Sequence, residues 1–243
     1  MKSDRRPDPR TRVRRTAAAG IALALFLAGL SIVGPVLISS ELRVLLFFTS
    51  HRARWSADSA KTVTVAGNAS VLLVFGVIGA IALWTWKHRV ALALTPLASL
   101  LIAAAVTKIG KAAIGRARPP LALHFNLVAA GGNSTPSGHT TDSTALFVSL
   151  ALVIVMLAWR RPIVTRVVSA LAVLLSVGIG LSRLELGVHW PLDVVLGWIL
   201  GLGIAVVAVE IGAAIDRRQP DRPPFDREVR SDLPSVERES IRR

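Results

Sequence analysis

Long stretches of this sequence carry no Asp, Glu, Lys or Arg at all, and no other feature narrows the possible folds as far. Residues 16–40 and 62–86 are each 25-residue runs of this kind, 90–107 is one of 18, and 143–159, 167–182 and 194–209 are shorter but extendable by polar residues at interface depth. A bilayer core of ~30 Å needs about 20 helical residues at ~1.5 Å rise, so each run reads as a membrane span. The runs are apolar on all sides. In a soluble bundle they would need a polar cover, which a chain with 52% hydrophobic and 18% charged residues and a mean hydropathy of +0.56 does not have. The expected fold is all-α: a polytopic membrane protein with six transmembrane helices in a bundle.

The first run follows a basic stretch, as a signal peptide would. It is too long for that, and its small residues 17–19 precede the apolar core instead of following it, so it reads as an uncleaved anchor. The expected division is a basic cytoplasmic segment at 1–16, a transmembrane domain at 17–215 and a disordered tail at 216–243. The tail mixes eight arginines, seven acids and four prolines with almost no apolar periodicity. Residues 41–55, apolar at one end and basic at the other, fit an interfacial helix or a simple extension of the first span equally well.

A formal net charge of +14 and a pI near 11.7 would point to nucleic acid in a soluble chain. In a membrane chain they set orientation, and no nucleic-acid partner is expected. With six spans, fourteen Lys and Arg residues flank one side and nine the other, which places both termini in the cytoplasm. The abundance of Ala and Arg points to a bacterial plasma membrane. The absence of cysteine removes disulfides, thiolate metal sites and cysteine nucleophiles.

Ionisable residues bordering spans are costly, so function is sought there. Three such segments fall on the expected extracytoplasmic side. In the first, Lys111 and Arg118 are seven apart, two turns if the helix continues, before Pro119 and Pro120 stop it. The second, Thr135-Pro136-Ser137-Gly138-His139, feeds a helix N-terminus, a ready anion site. There Ser137 adds a hydroxyl, Gly138 admits close approach, and His139 can give or take a proton. In the third, His189 and Asp193 are four apart, so the carboxylate can accept from Nδ1–H and leave Nε2 as nucleophile or base. Arg183 adds a planar donor for phosphate. Each segment alone has an ordinary structural explanation. Together they supply three cations, two imidazoles and one orienting acid, an inventory suited to a tetrahedral dianion attacked in line by one histidine while the other protonates the leaving oxygen. No metal or other cofactor is needed for that chemistry.

The three segments resemble the tripartite signature of the type 2 phosphatidic acid phosphatase superfamily: Lys-x6-Arg-Pro, Pro-Ser-Gly-His and Ser-Arg-x5-His-x3-Asp. Lys111 to Pro119, Pro136 to His139 and Ser182 to Asp193 match it without departure. The resemblance implies an integral membrane enzyme that hydrolyses a lipid phosphate or diphosphate, independently of metal ions, through a phosphohistidine. Phosphatidic acid, phosphatidylglycerol phosphate and polyprenyl diphosphate are the substrates to consider. By the same resemblance His189 is the nucleophile, Asp193 orients it and His139 is the general acid. Lys111, Arg118, Ser137, Gly138 and Arg183 then hold the phosphoryl oxygens. A phosphotransferase of the same superfamily and a non-enzymatic phospholipid-binding membrane protein are the alternatives.

Other residues attract weaker expectations. Asp142 tunes His139 or compensates the helix dipole. His124 reads as a solvated loop residue, Glu185 as a charge filter or a partner of Arg116, and Asn68 as a helix–helix hydrogen bond. Glu210, deep in the last run, needs a partner or the inner interface.

Overall fold

Prolines open two of the helices, at Pro162 and Pro191, where a fixed φ suits the first turn and no backbone N–H is required. In the computed structural model, which describes residues 35–127 and 131–218, the described residues form seven α-helices and no strand. They are α1 (Pro35–Ser50), α2 (Arg54–Val65), α3 (Ala69–Lys87), α4 (Val90–Ile114), α5 (Gly138–Leu157), α6 (Pro162–Glu185) and α7 (Pro191–Asp216). Two short 3-10 turns, Leu121–Leu123 and Phe125–Leu127, lie between α4 and α5.

Five of these helices, α3 to α7, are long and apolar enough to cross a membrane. Most of the first expected span lies outside the described residues, as do the basic segment 1–16 and residues 219–243 of the expected tail. The end of that first run is helical within α1, which continues unbroken through Glu41 to Ser50. Residues 41–50 are thus helical and continuous with the end of that run. The run at 62–86 is not one helix. It is broken at Ala66, Gly67 and Asn68, with α2 before and α3 after. Hydropathy does not register a break built from uncharged residues, although Gly and Asn are poor helix formers.

Central to the bundle is α5, which packs on α4, α6 and α7; α7 also lies on α4, α3 lies on α4, and α2 lies on α6. The α5–α7 contact is close because α7 presents Gly197 and Gly201 to it, four apart. A Cβ at Gly197 would stand 2.8 Å from Thr140 Cβ, and one at Gly201 would stand 2.6 Å from the Thr141 carbonyl oxygen. Small residues at this spacing let helix backbones approach where the surroundings are lipid and no hydrophobic gain drives association. Interhelical hydrogen bonds join other pairs: Ser99 Oγ of α4 donates to Ala145 O of α5 (3.1 Å) and Trp198 Nε1 of α7 to Ser176 O of α6 (2.9 Å). Outward faces are apolar, as at Val74, Ile78 and Ile81 of α3 and Val167, Leu171 and Leu174 of α6, while Ser99, Ser143 and Ser149 are buried within. At one end of the bundle meet the C-termini of α4 and α6, the N-termini of α3, α5 and α7, and helix α2. At the other, Arg89 before α4 pairs with Asp216 at the end of α7 (2.5 Å).

Candidate active site

The three sequence segments lie at the same end of the bundle. Lys111 occupies the last turn of α4, which stops at Ile114 because Gly115 takes a left-handed φ of 65°. Lys111 and Arg118 therefore do not share a continued helix, as their spacing permitted. Arg118 leaves the helix on an extended segment, and its guanidinium folds back over the site. It donates from Nη1 to Val188 O (2.8 Å) and from Nη2 to Gly131 O (3.1 Å). Lys111 Nζ lies at the N-terminus of α5, 3.9 Å from where a Gly138 Cβ would stand.

Ser137 is the N-cap residue of α5 and is buried; its hydroxyl accepts from Thr140 Oγ1 (2.9 Å), and its N–H donates to the Asp193 carbonyl (3.1 Å). The loop holding the second segment is thereby tied to the first turn of α7. Arg183, in the last turn of α6, is 9% exposed; Nη1 donates to Thr64 Oγ1 of α2 (2.6 Å), while Nε is buried with no hydrogen-bond partner in the protein. A buried guanidinium N–H left open is costly unless a ligand takes it.

His189 sits in the loop before α7 and Asp193 in its first turn, both fully buried. His189 Nδ1 is 3.2 Å from Asp193 Oδ2, and Arg118 Nη1 is 3.0 Å from His189 Nε2. An arginine N–H can only donate, so Nε2 carries the lone pair and Nδ1 the proton given to Asp193. Burial lowers the His189 pKa to about 4, overcoming the opposite pull of Asp193. The ring is thus neutral at physiological pH, with its lone pair directed at a guanidinium. Asp193 is fully engaged: it also accepts from the Trp190 N–H (2.9 Å), from Arg116 Nη1 (3.2 Å) and from Thr135 Oγ1. Arg116 pairs in turn with Glu41 of α1, which accepts the Leu192 N–H (2.9 Å).

His139, one residue inside α5, has Nε2 at 2.9 Å from Asn68 Oδ1. The charges that reach it through space are those of Arg183, Lys111 and Arg118, with the His189 ring beside them, so the three segments converge on one locus. Among the described residues no group of three or more His, Asp or Glu side chains is placed to hold a metal ion.

Two sequence expectations need correction, at Glu185 and His124, and the structure places three further residues. Glu185 does not meet Arg116; it accepts from Ser56 Oγ (2.6 Å), and Arg116 takes Glu41 instead. His124 is not solvated but 5% exposed, its Nε2 donating to Pro119 O (3.1 Å). Asp142 faces Thr107 (3.5 Å) and the Lys111 charge. Asn68 makes the expected hydrogen bond between helices, and its partner is His139. Glu210 is half-buried on α7, with no ion pair found among the described residues. Sequence reasoning missed Glu41, Arg116, Thr135 and Thr64. Glu41 and Arg116 did carry a signal, since both are ionisable residues beside spans on the same side as the motifs.

The profile of the PAP2 superfamily matches residues 92–216, and the chain belongs to that superfamily. It is an integral membrane protein built on the fold of a solved relative, the transmembrane PAP2 type phosphatidylglycerolphosphate phosphatase from Bacillus subtilis. That likeness has a TM-score of 0.74 and 23% identity, and it covers 85% of this chain and 99% of the other. Aquifex aeolicus LpxE is a more distant likeness, with a TM-score of 0.51 and 20% identity over 70% of this chain and 94% of that one. An undecaprenyl-diphosphatase of Sulfolobus acidocaldarius is 38% identical over 81 residues, 32% of this chain, and the match spans about a third (33%) of that relative's length.

Proposed function

We propose that this protein hydrolyses a phosphate monoester or diphosphate of a membrane lipid through a phosphohistidine. The observation that carries the reading is the His189 imidazole, whose Nε2 lone pair is presented to Arg118 while Nδ1 is held by Asp193. In the resting state Arg118 occupies the place of an anion's partner. When a phosphoryl group enters, Arg118, Arg183 through its open Nε, Lys111 and the N-terminus of α5 at Ser137 and Gly138 offer donors to its oxygens. Nε2 attacks phosphorus as the bond to the lipid oxygen breaks, and the His139 imidazolium gives that oxygen a proton. Asp193 keeps the Nδ1 proton on the ring and stabilises the positive charge that forms. Water then gives a proton to His139 and attacks phosphorus, the P–N bond breaks, and inorganic phosphate departs.

Family membership and the relatives' names support lipid phosphates as the substrate class, with phosphatidylglycerol phosphate and a polyprenyl diphosphate the two substrates those names bring forward. The charge asymmetry of the flanks supports a site on the extracytoplasmic side of a six-span molecule, with both termini inside. The test is phosphate release by detergent-purified protein from phosphatidic acid, phosphatidylglycerol phosphate and polyprenyl diphosphate in excess EDTA, beside His189→Ala. Release from at least one lipid, abolished in the variant, is the expected result. Full activity in the variant overturns the mechanism, and transfer to an added alcohol in place of release assigns the transferase.

A further inference from the structure

The break between α2 and α3 is built against His139. Gly67 lies so close to α6 and α5 that a Cβ there would stand 2.7 Å from Ile179 Cγ2 and 3.1 Å from His139 Cδ2. The next residue, Asn68, is the N-cap of α3, with the extended backbone of a capping residue (φ −68°, ψ 140°). Asparagine at this position ordinarily uses its side-chain oxygen to accept a helix N–H. Here the side chain makes no cap hydrogen bond, and Oδ1 lies 2.9 Å from His139 Nε2. The segment therefore does two things that helix capping does not explain: it leaves its own helix end without that acceptor, and it brings a carbonyl oxygen to one chosen nitrogen of the ring.

We propose that Asn68 is a positioning residue for His139, holding the Nε2–H so that Nδ1 is the nitrogen that exchanges a proton with the lipid oxygen. A carbonyl oxygen can only accept, so Nε2 keeps its hydrogen in both the neutral and the protonated ring. The exchangeable proton is then on Nδ1 alone, and the imidazole plane is fixed by a bond from a different element than the one that carries it. Among the described residues no hydrogen bond to Nδ1 is found. This inference rests on the reading of His139 as general acid, and its test separates the two.

Protonation of the leaving oxygen matters for an alkyl ester and little for an aryl phosphate, whose phenolate departs unaided. Asn68→Leu, which removes the acceptor at similar size, is therefore compared with Asn68→Asp, which retains an acceptor oxygen, on dioctanoyl phosphatidic acid and on p-nitrophenyl phosphate. Asn68→Ala serves as a second acceptor-free variant should the leucine disturb folding. The expected result is a fall in kcat/KM on the alkyl substrate on the order of 10²-fold, the low end of a general acid's contribution, because kcat/KM reports the steps up to departure of the leaving group and not the later hydrolysis of the phosphohistidine. On the aryl substrate the fall is under about 5-fold, and Asn68→Asp recovers most of the alkyl activity. Equal loss on both substrates, loss on neither, or no recovery in Asn68→Asp overturns the proposal. His139→Ala is run alongside: if it does not itself discriminate alkyl from aryl, the acid assignment fails and the role of Asn68 falls with it. If it does and Asn68→Leu does not, only the role of Asn68 is lost.

Discussion

His189 and its surroundings show how burial and a single carboxylate divide the work of preparing a nucleophile. Burial removes the imidazolium from the resting state, with a pKa of about 4, and Asp193 decides which nitrogen keeps the hydrogen. A lowered pKa means the proton is released at lower pH, so the acid limb of kcat/KM that reports this ring should fall near pH 4 and not near the usual imidazole value of about 6.5. A pH profile of phosphate release on a soluble short-chain substrate checks this, and an acid limb at the ordinary histidine value from this group would contradict it. Around Asp193, Arg116 and Glu41 form a buried pair whose side chains are 10% and 9% exposed. Removing one member leaves the other charge uncompensated, which typically costs about 3–5 kcal/mol. Arg116→Met should therefore lower the thermal midpoint in detergent and reduce activity. Adding Glu41→Gln to it should restore part of the stability but not the Asp193 contact.

Among the elements, the α5–α7 packing carries the most consequence for the site. His139 and Ser137 ride on α5, and Asp193 rides on α7, so the gap between these helices sets the distance from acid to nucleophile. Gly201→Leu places a side chain where even a Cβ stands 2.6 Å from the Thr141 carbonyl. Overpacking costs ~1–3 kcal/mol or more, and here it should also separate the two halves of the site. Gly178→Ala on α6 meets only Val63 Cγ1 at 3.7 Å, an ordinary contact, and should leave both the melting temperature and the activity essentially unchanged. Thermal unfolding and phosphate release for the two variants test the contrast. The α2–α3 break belongs to the same scale: α2 supplies Thr64 to Arg183, and the turn after it supplies Asn68 to His139.

For the whole molecule, the orientation proposed from the charge count can be read chemically, because the chain contains no cysteine. Ser59, exposed on α2 near the site, and Arg218, beyond α7 at the opposite end, are positions for single cysteines. In intact cells Ser59→Cys should react with a membrane-impermeant maleimide, and Arg218→Cys should react only after permeabilisation; the reverse pattern overturns the proposed orientation. Membrane character, the all-helical fold and the residues of the three motifs are determined by the sequence by itself. Hydrophobic runs, helix-stopping glycine and proline, and the ionisable residues beside them are local properties that the chain carries in any conformation. Asn68 facing His139, Thr64 facing Arg183, and Arg116 taking Glu41 over Glu185 were decided only by the tertiary structure. Each pairs side chains from elements far apart in the chain, and their meeting depends on how closely helices pack and where they break. Uncharged residues such as Gly67, Gly197 and Gly201 govern both, and hydropathy and charge are silent about them.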